Sequence, residues 1–197
     1  MTDALEGAPT PDTPADEGPD DVATGPSSVA RIVEWLVVIV GSLALALALR
    51  AWVVQSFSIP SESMEETLLV GDRLLVEKVS YRFGDPSHGD VVVFSRPPDV
   101  PGPTDDLIKR IIGLGGDVIE GRDSVVYRNG DALDEPYLDD GFFGDFGPIT
   151  VPDGHMFVMG DNRDESLDSR VFGPLSTDLI VGRAFVKTWP LDRLGGL

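Results

Sequence analysis

Two serines spaced two residues apart lie in the segment PSESM, directly after a proline and before a methionine. Pro60 favours an extended conformation for Ile59, and alternate side chains of an extended segment share a face. Ser61 and Ser63 are therefore predicted to point the same way. A serine hydroxyl is a weak nucleophile at neutral pH unless a base lies within hydrogen-bond distance. Without such a base, the two serines would only cap the short helical turn predicted after them.

A lysine within an apolar segment could supply that base. Lys109 is one of three lysines in the chain and lies in the middle of the segment LIKRIIG. If the segment is a strand, Lys109 shares a face with Leu107 and Ile111. Such neighbours exclude water from the amine, which lowers its pKa and favours the neutral form that a general base requires. The alternative is a lysine that protects the edge of a sheet from aggregation.

A third polar segment follows an apolar stretch late in the chain. Residues 161–170 include four acids, two arginines and Ser166. An EF-hand calcium loop is excluded, because the sixth position is Ser166 instead of glycine and the twelfth is Phe172 instead of glutamate. The segment is either a solvated turn or a cluster in which acids and arginines pair with each other and orient a neighbouring group.

The composition narrows the chemistry and the partners. The chain has 197 residues, a formal charge of -19, no cysteine, and only His88 and His155 as imidazoles. Disulfides, thiolate catalysis and cysteine metal sites are excluded, and neither a metal nor a cofactor is predicted. Nucleic acid is disfavoured as a partner, because the chain has no Lys/Arg-rich stripe to neutralise phosphates.

The first of three zones is an acidic tail. Residues 1–30 contain five prolines, three glycines and seven acids, without a basic or an aromatic residue. Such a segment buries too little apolar surface to offset its ordering entropy, so we predict that it is disordered. It would be either a solvated leader or a docking tail.

The second zone is an apolar segment, and we predict a transmembrane anchor over residues 31–54. As a helix it would be roughly 35 Å long, enough for the hydrocarbon core of a bilayer. Trp35 and Trp52 lie near its two ends, where interfacial anchors are expected. A cleaved signal peptide is the alternative, but it would need a basic start where the acidic tail lies. Arg31 and Arg50 balance each other, so the positive-inside rule gives no orientation.

The third zone, residues 55–197, has the pattern of a mainly antiparallel β domain. Short β-branched segments bounded by Gly, Pro or Asp predict its strands: DRLLVEKV, DVVVFS, LIKRIIG, DVIE, SVVYR, MFVMG and LIVGRAFVKTW. Asn129 and Gly130 predict a two-residue hairpin, because a type I′ turn needs two residues with positive φ. The proline-rich segment RPPDVPGPTDD predicts a loop. No long amphipathic helix is predicted after the anchor.

In this order, the segments resemble those of bacterial type I signal peptidases, membrane-anchored Ser/Lys endopeptidases that remove signal peptides from exported proteins. PSESM followed by TLLVGDRLLVEKVSY is similar to the nucleophile box of the family, and GDVVVF to its next strand. IKRIIGLGGD is similar to its lysine box and GDNRDESLDSR to its closing box. Glu165 replaces a common Asn and Gly115 a common Pro, and neither change removes a group from the chemistry.

The resemblance extends from about residue 35 to about residue 190 and implies a fold. An antiparallel β-sheet catalytic domain of the signal-peptidase type would follow one N-terminal transmembrane helix. The region 122–149 matches the family least and is a possible small cap insertion.

The resemblance also implies roles for individual residues. Ser63 would be the nucleophile and Lys109 the general base of a Ser/Lys dyad. The Ser61 hydroxyl and the backbone N–H of Ser63 would hold the oxyanion. Ser166 would form a hydrogen bond with Lys109. Three further residues would brace the site: Asp161, Asp168 and Arg170.

The implied substrates are the signal peptides of exported preproteins, cut after small-x-small (A-x-A) sites. The implied location is the bacterial plasma membrane, crossed once, with a cytoplasmic N-terminus and the catalytic domain on the outer face. The nucleophile would then lie at the surface of the bilayer, where the cleavage site of a signal peptide emerges. The lipid bilayer is an implied partner, and contact with the secretion machinery is compatible with this location.

The segment FSIPSES could pair with an extended substrate by strand addition, which would place alternate substrate side chains in two pockets. Four apolar side chains are candidates for the pocket walls: Phe57, Ile59, Met64 and Leu68. The alternative for each of them is a place in the ordinary core.

Other functions are less compatible with the sequence. A Ser-His-Asp hydrolase could use His88 or His155, but no serine lies in a G-x-S-x-G elbow and neither histidine lies in a matching motif. A self-cleaving repressor of the LexA type would share the Ser/Lys chemistry but would bring a DNA-binding domain, for which no segment is seen. An inactive binding protein of the same fold would have lost Ser63 or Lys109, and both are present.

Overall fold

The computed structural model describes residues 28–138 and 142–197. Helix α1 spans Ser28–Trp52, and by length and composition it can cross a membrane. It begins three residues before the predicted start of the anchor, so residues 28–30 are helical. The rest of the predicted disordered tail lies outside the described residues. The side chains described for α1, from 28 to 48, are exposed, which leaves its apolar surface uncovered by protein.

A compact unit of residues 45–197 contains the strands. The strands of the described part of the chain are β1 Val54–Ser58, β2 Arg73–Glu77, β3 Val91–Ser95, β4 Asp106–Leu114, β5 Val118–Arg122, β6 Val125–Arg128, β7 Asp131–Ala132, β8 Phe146–Thr150, β9 His155–Met159, β10 Leu175–Ser176, β11 Ile180–Trp189 and β12 Gly195–Gly196. The helices after α1 are α2 Ser80–Phe83, α3 Ser169–Phe172 and two 3-10 turns, Thr177–Leu179 and Leu191–Arg193. The mainly β fold predicted from the sequence is confirmed.

The larger sheet places the candidate base in its interior. Its strands pair antiparallel in the order β1-β2-β11-β3-β4-β9-β10, with β12 added to β11. Strand β4 lies between β3 and β9, and Lys109 is opposite Val92 of β3. Lys109 is therefore not an edge-strand lysine, and that alternative is wrong.

The side chains of β4 alternate between two apolar clusters, as predicted. Ile108 packs in one cluster with Val91 and Val93, whereas Ile111 packs in another with Val92. Full burial of an aliphatic side chain contributes about 1.5–3 kcal/mol. The strand that carries Lys109 is thus fixed by packing on both of its faces.

Part of the region 122–149 belongs to a smaller sheet. Its strands pair in the order β7-β6-β5-β8. Asn129 and Gly130 have φ angles of 58° and 91° and join β6 to β7, so the predicted hairpin is confirmed. The region thus contributes β6, β7 and most of β8 to an antiparallel sheet that also contains β5, and its role as a cap insertion stays a prediction.

Aromatic side chains attach the smaller sheet to the larger one. Phe143 and Phe146 pack in one cluster with Ile119 of β5 and Phe157 of β9. The rings of Phe146 and Phe157 are stacked, with 5.9 Å between their centroids. Phe143 and Phe146 of the segment DDGFFGDFG thus form part of a core shared by the two sheets, whereas Phe142 is exposed. Residues 139–141 of that segment lie outside the described residues.

Candidate active site

The candidate nucleophile and the candidate base meet in the structure. Nζ of Lys109 lies 2.5 Å from Oγ of Ser63 and donates a hydrogen bond to it. Both residues are buried, and Lys109 is only 2% exposed. Ser63 lies in the turn after β1, whereas Lys109 lies in the middle of β4. The contact therefore depends on the packing of that turn against the larger sheet.

Burial controls the protonation of Lys109. Its amine donates a second hydrogen bond, of 2.9 Å, to the carbonyl oxygen of Ile108. Burial lowers the pKa of Lys109 from 10.5 to about 8, although the carboxylates of Asp168 and Asp161 act to raise it. Arg170 reinforces the lowering. An amine with this pKa is partly neutral close to neutral pH, and the neutral form is the one that accepts a proton.

Ser61 lies beside Ser63, with 3.5 Å between the two hydroxyl oxygens. The short helical turn after them forms as predicted, because the N–H of Leu68 donates to the carbonyl oxygen of Met64 at 2.7 Å. Among the described residues, no backbone N–H of this turn donates to either serine hydroxyl. The role of simple helix caps is therefore not supported.

The segment after β9 packs directly against the backbone of Ser63, the candidate nucleophile. The backbone N–H of Asn162 donates to the carbonyl oxygen of Ser63 at 3.3 Å, and its side-chain amide donates to that of Glu62 at 3.2 Å. A Cβ on Gly160 would lie 2.3 Å from both the Ser63 carbonyl oxygen and Oγ of Ser166. The close approach of the two segments therefore requires glycine at this position.

Ser166 does not form the predicted hydrogen bond with Lys109. Its Oγ is buried and has no hydrogen-bond partner among the residues that the structure describes. The amine of Lys109 instead binds Ser63 and the carbonyl of Ile108. Lys109 is thus oriented by its own strand.

Asp161 is held by an arginine from β4. Nε and Nη2 of Arg110 donate to its two carboxylate oxygens at 2.9 and 2.6 Å, and the hydroxyl of Thr67 donates at 2.5 Å. The side chains of this pair are only 8% and 1% exposed. Two parallel hydrogen bonds to a buried carboxylate restrict the geometry closely. The expected pairing within residues 161–170 is therefore wrong for Asp161.

Asp168 does pair within the segment, as predicted. Nε and Nη2 of Arg170 each donate to its carboxylate at 2.8 Å. The carboxylate also accepts the backbone N–H of Gly160 at 3.0 Å and caps α3 through the N–H of Arg170. Asp168 is fully buried. Its carboxylate connects Gly160, just before the segment, to Arg170 at its end.

Arg163 has a partner that was not predicted from the sequence. Nη1 and Nη2 donate to the carboxylate of Glu135 at 2.9 and 2.6 Å. Glu135 belongs to the smaller sheet's connection between β7 and β8, where no pattern in the sequence pointed to a role. Of the three arginines around the site, two thus find their acids outside their own segment.

Two adjoining cavities open beside Ser63, each of about 370 Å³. The first contains Ser61, Ser63 and Lys109, together with Leu167 and part of the loop between β3 and β4. The second extends from Pro60 toward β1. Residues 106–108 line both cavities, so one continuous cleft passes the hydroxyl of Ser63.

Only two of the four predicted pocket residues line this cleft. Phe57 and Ile59 do so, together with Ile108. Met64 and Leu68 are fully buried in the core, so their assignment as pocket residues is wrong. They lie four residues apart in a helical turn, which places them on one face, and that face points into the core. Apolar side chains of β3 and β4 line the cleft instead: Val93, Leu107 and Ile108.

An arginine holds the proline-rich loop over the cleft. Nε of Arg96 donates to the carbonyl oxygen of Thr104 at 2.5 Å, and Nη1 donates to that of Pro101 at 2.6 Å. Nη2 donates to the hydroxyl of Thr104 at 2.8 Å. Pro101 and Thr104 line the cavity that contains Ser63, so Arg96 fixes one wall of it.

The histidines are engaged elsewhere. Nε2 of His88 lies 2.7 Å from a carboxylate oxygen of Asp117, and Nδ1 of His155 lies 3.0 Å from the carbonyl oxygen of Asp153. In the described part of the chain, neither ring forms a hydrogen bond with a serine hydroxyl. The structure thus gives no support to a Ser-His-Asp arrangement.

Comparison with known proteins points to one family. Residues 32–189 match the family model described as signal peptidase, peptidase S26. A probable signal peptidase I-2 of Synechocystis is 43% identical over 79% of this chain and 72% of its own length. The signal peptidase I of Leptolyngbya laminosa is 40% identical over 96% of this chain and 94% of its own. A crystal structure of a signal peptidase I from Enterococcus faecalis is 32% identical, covers 51% of this chain and 97% of that chain, and has a TM-score of 0.44.

The buried amine predicts that Lys109→Met stabilises the protein. Lowering the pKa of Lys109 from 10.5 to about 8 corresponds to about 3 kcal/mol at 1.36 kcal/mol per unit. This destabilisation of the folded state is complete below pH 8 and disappears above pH 10.5. The lost hydrogen bonds offset part of the gain, so we expect a net gain of about 1–3 kcal/mol at pH 7.

Thermal unfolding of the full chain in detergent at pH 7 and pH 10 measures this effect. The gain should shrink at the higher pH, because the wild-type amine is then largely neutral. Lys78→Met, just after β2, is the control and should show neither effect. A gain that is the same at both pH values would show that the charge of Lys109 is not its source.

Proposed function

The chain belongs to the signal peptidase family S26, whose peptidases remove signal peptides from preproteins, and we propose that it does so with a Ser63–Lys109 dyad. The 2.5 Å hydrogen bond between Nζ of Lys109 and Oγ of Ser63 carries this proposal. A serine hydroxyl needs a base within hydrogen-bond distance to act as a nucleophile. Lys109 provides one whose pKa burial has lowered toward the working range.

In the proposed acylation, neutral Lys109 removes the proton of Ser63 while Oγ bonds to the carbonyl carbon of the scissile peptide. The carbonyl electron pair moves onto oxygen, and the Ser61 hydroxyl and the backbone N–H of Ser63 hold the resulting oxyanion. As the carbonyl re-forms, the C–N bond breaks and the leaving amine takes the proton from Lys109. The mature protein departs, and the signal peptide remains as an ester of Ser63.

Deacylation repeats these steps with water. Lys109 takes a proton from a water molecule, and the oxygen of that water attacks the ester carbonyl carbon. The second oxyanion occupies the same position, and its collapse returns the proton from Lys109 to Oγ of Ser63. The signal peptide leaves with a free carboxylate, so the dyad is restored without a cofactor.

Three residues brace the dyad in this proposal. Asp161, through Arg110, ties the segment after β9 to the strand of Lys109. Asp168 and Arg170 hold that segment against Gly160. None of the three needs to exchange a proton, because their effect is to keep the backbone of Ser63 close to β4.

Membrane attachment is the second part of the proposal. Helix α1 is compatible with an anchor, and β1 begins two residues after it ends. We propose an acidic tail over residues 1–30, a single-pass anchor over 31–54 and a catalytic domain over 55–197. The tail lies on the cytoplasmic side and the catalytic domain on the outer face of the plasma membrane. In this arrangement the signal peptide of the preprotein lies in the bilayer next to the catalytic domain, after the secretion machinery has inserted it there.

Loss of either member of the dyad should abolish turnover. We expect Ser63→Ala and Lys109→Ala each to lower kcat by on the order of 10⁴-fold or more, because neither group works without the other. The test incubates the detergent-solubilised full chain with a preprotein and locates the cut by mass spectrometry. The matched control replaces His88 and His155 by Gln, which should leave turnover intact. A folded but inactive double histidine variant would refute the lysine-base assignment.

Activity should rise with pH through the lowered pKa of Lys109. Below about pH 8 the amine is protonated and cannot take the proton of Ser63, so kcat/KM should fall about tenfold per pH unit. Above that value the rate should level off. The profile of kcat/KM against pH measures this directly. A rise that occurs only near 10.4, the ordinary value for lysine, would show that the working amine is hydrated.

The shape of the cleft favours small substrate side chains at two positions. An extended peptide would lie along residues 57–60 and residues 106–108, which line the cleft. Alternate side chains of such a peptide point the same way, toward Phe57, Ile59 and Ile108. Bulky apolar walls leave little room for substrate side chains. The residue just before the cleaved bond and the residue two positions before that one should therefore be small.

A peptide series tests this specificity. A substrate with Ala at both positions should be cleaved, whereas Phe or Lys at either should stop cleavage. Replacing the residue between them should have little effect, because its side chain points away from the wall. Equal cleavage of the Ala, Phe and Lys peptides would show that these residues do not form the pockets, even if Ser63 is the nucleophile.

A further inference from the structure

Arg110, Arg163 and Arg170 share one feature: side chains from the connection between β7 and β8 cover all three. We call residues 133–138 and 142–146 the covering segment. The guanidinium of Arg110 lies 3.8 Å from the centroid of the Tyr137 ring. Arg163 and Arg170 lie 5.8 and 5.6 Å from that of Phe143. The covering segment thus forms the outer wall of the groups that brace the dyad.

Glu135 of the covering segment forms a buried ion pair with Arg163. Its carboxylate accepts two hydrogen bonds from Arg163, and their side chains are only 9% and 1% exposed. The hydroxyl of Tyr137 donates a third hydrogen bond to it at 2.6 Å. Burial, reinforced by the Glu135 carboxylate, raises the pKa of Tyr137, so the phenol remains a donor. Three donors therefore fix the position of this carboxylate.

Arg163 connects Glu135 to the nucleophile. Its Nε donates to the carbonyl oxygen of Gly160 at 3.1 Å. Gly160 lies against the carbonyl of Ser63 so closely that a Cβ would not fit. A guanidinium is planar, so the two nitrogens held by Glu135 also set the direction of Nε. A shift of Arg163 would thus be passed to Ser63 through the Gly160 peptide.

We propose that Glu135 is a positioning residue for the peptidase reaction. Through Arg163 it fixes the Gly160 backbone against Ser63 and keeps Oγ within hydrogen-bond distance of Lys109. This role rests on the dyad proposed above. Glu135 lines neither cavity of the cleft, so its replacement changes the reaction of the bound substrate and leaves substrate binding unchanged.

Glu135→Gln tests this role in the full chain in detergent with a preprotein substrate. The amide keeps the size of the side chain but cannot hold both guanidinium nitrogens as a charged acceptor. Because a misplacement of about 1 Å can cost on the order of 10²-fold in rate, we expect kcat to fall about 10- to 100-fold with KM within about twofold. Glu120→Gln is the matched control. It makes the same change in the more exposed Glu120–Arg122 pair of β5 and should leave kcat unchanged.

A double variant separates positioning from stability. Replacing both Glu135 and Arg163 by Leu removes the buried pair, and such replacements are often neutral or stabilising. We expect its Tm to lie near that of the wild type while kcat stays low, because no guanidinium binds the Gly160 carbonyl. Recovery of kcat together with Tm would overturn the proposal, since the pair would then serve stability alone. A wild-type kcat in Glu135→Gln would also overturn it.

The dyad is judged separately from Glu135 in the same assay. If Ser63→Ala is inactive and Glu135→Gln is fully active, the role of Glu135 fails and the dyad stands. If Ser63→Ala retains wild-type turnover, the dyad fails, and the positioning role fails with it.

Discussion

The hydrogen bond between Lys109 and Ser63 sets the requirement that the rest of the structure meets. It needs a lysine amine that is dry enough to be neutral, because a hydrated ammonium cannot take a proton from a hydroxyl. An interior strand provides such a place, since both its edges are paired and both its faces are packed. Strand β4 has this position, with Ile108 and Ile111 in separate apolar clusters. The buried amine of Lys109, the proposed base, thus lowers the stability of the folded state locally.

Charge balance around the amine follows from the same requirement. The carboxylates of Asp161 and Asp168 would hold Lys109 protonated if they were unpaired. Each is instead matched by an arginine, so burial decides the pKa of the lysine. The arginines also join separate parts of the chain: β4 to the segment after β9, and that segment to the smaller sheet. In the proposed dyad, the pairs thus affect both the proton affinity of the amine and the position of Ser63 relative to Lys109.

Local patterns predicted the elements better than the contacts between them. Strands with β-branched residues and the Asn129-Gly130 turn form as predicted, but β8 was missed because FGPIT contains glycine and proline. The strand order was not predictable, since β2 and β11 pair across about a hundred residues. Met64 and Leu68, predicted as candidate pocket residues, lie in a helical turn and face the core.

The site shows the same division between local and distant information. Lys109 was recognisable because a charged residue in an apolar strand is conspicuous within a few residues. Glu135 was not, because nothing near it in sequence marks its pairing with Arg163. The hydrogen bond expected of Ser166 came from the resemblance alone, and the local geometry directs the amine to the carbonyl of Ile108. Sequence patterns therefore do not predict contacts between side chains that are distant in sequence and meet only in the folded protein.

The proline-rich loop held by Arg96 bears on the entropy of substrate binding. A substrate that presents only small side chains buries little apolar area, so it gains little from the hydrophobic effect. Its complex therefore tolerates only a small loss of conformational freedom in the enzyme. The prolines of this loop have fixed φ angles, and Arg96 restrains the loop further. With one wall of the cleft already restrained in the free protein, recognition by backbone shape alone becomes thermodynamically feasible.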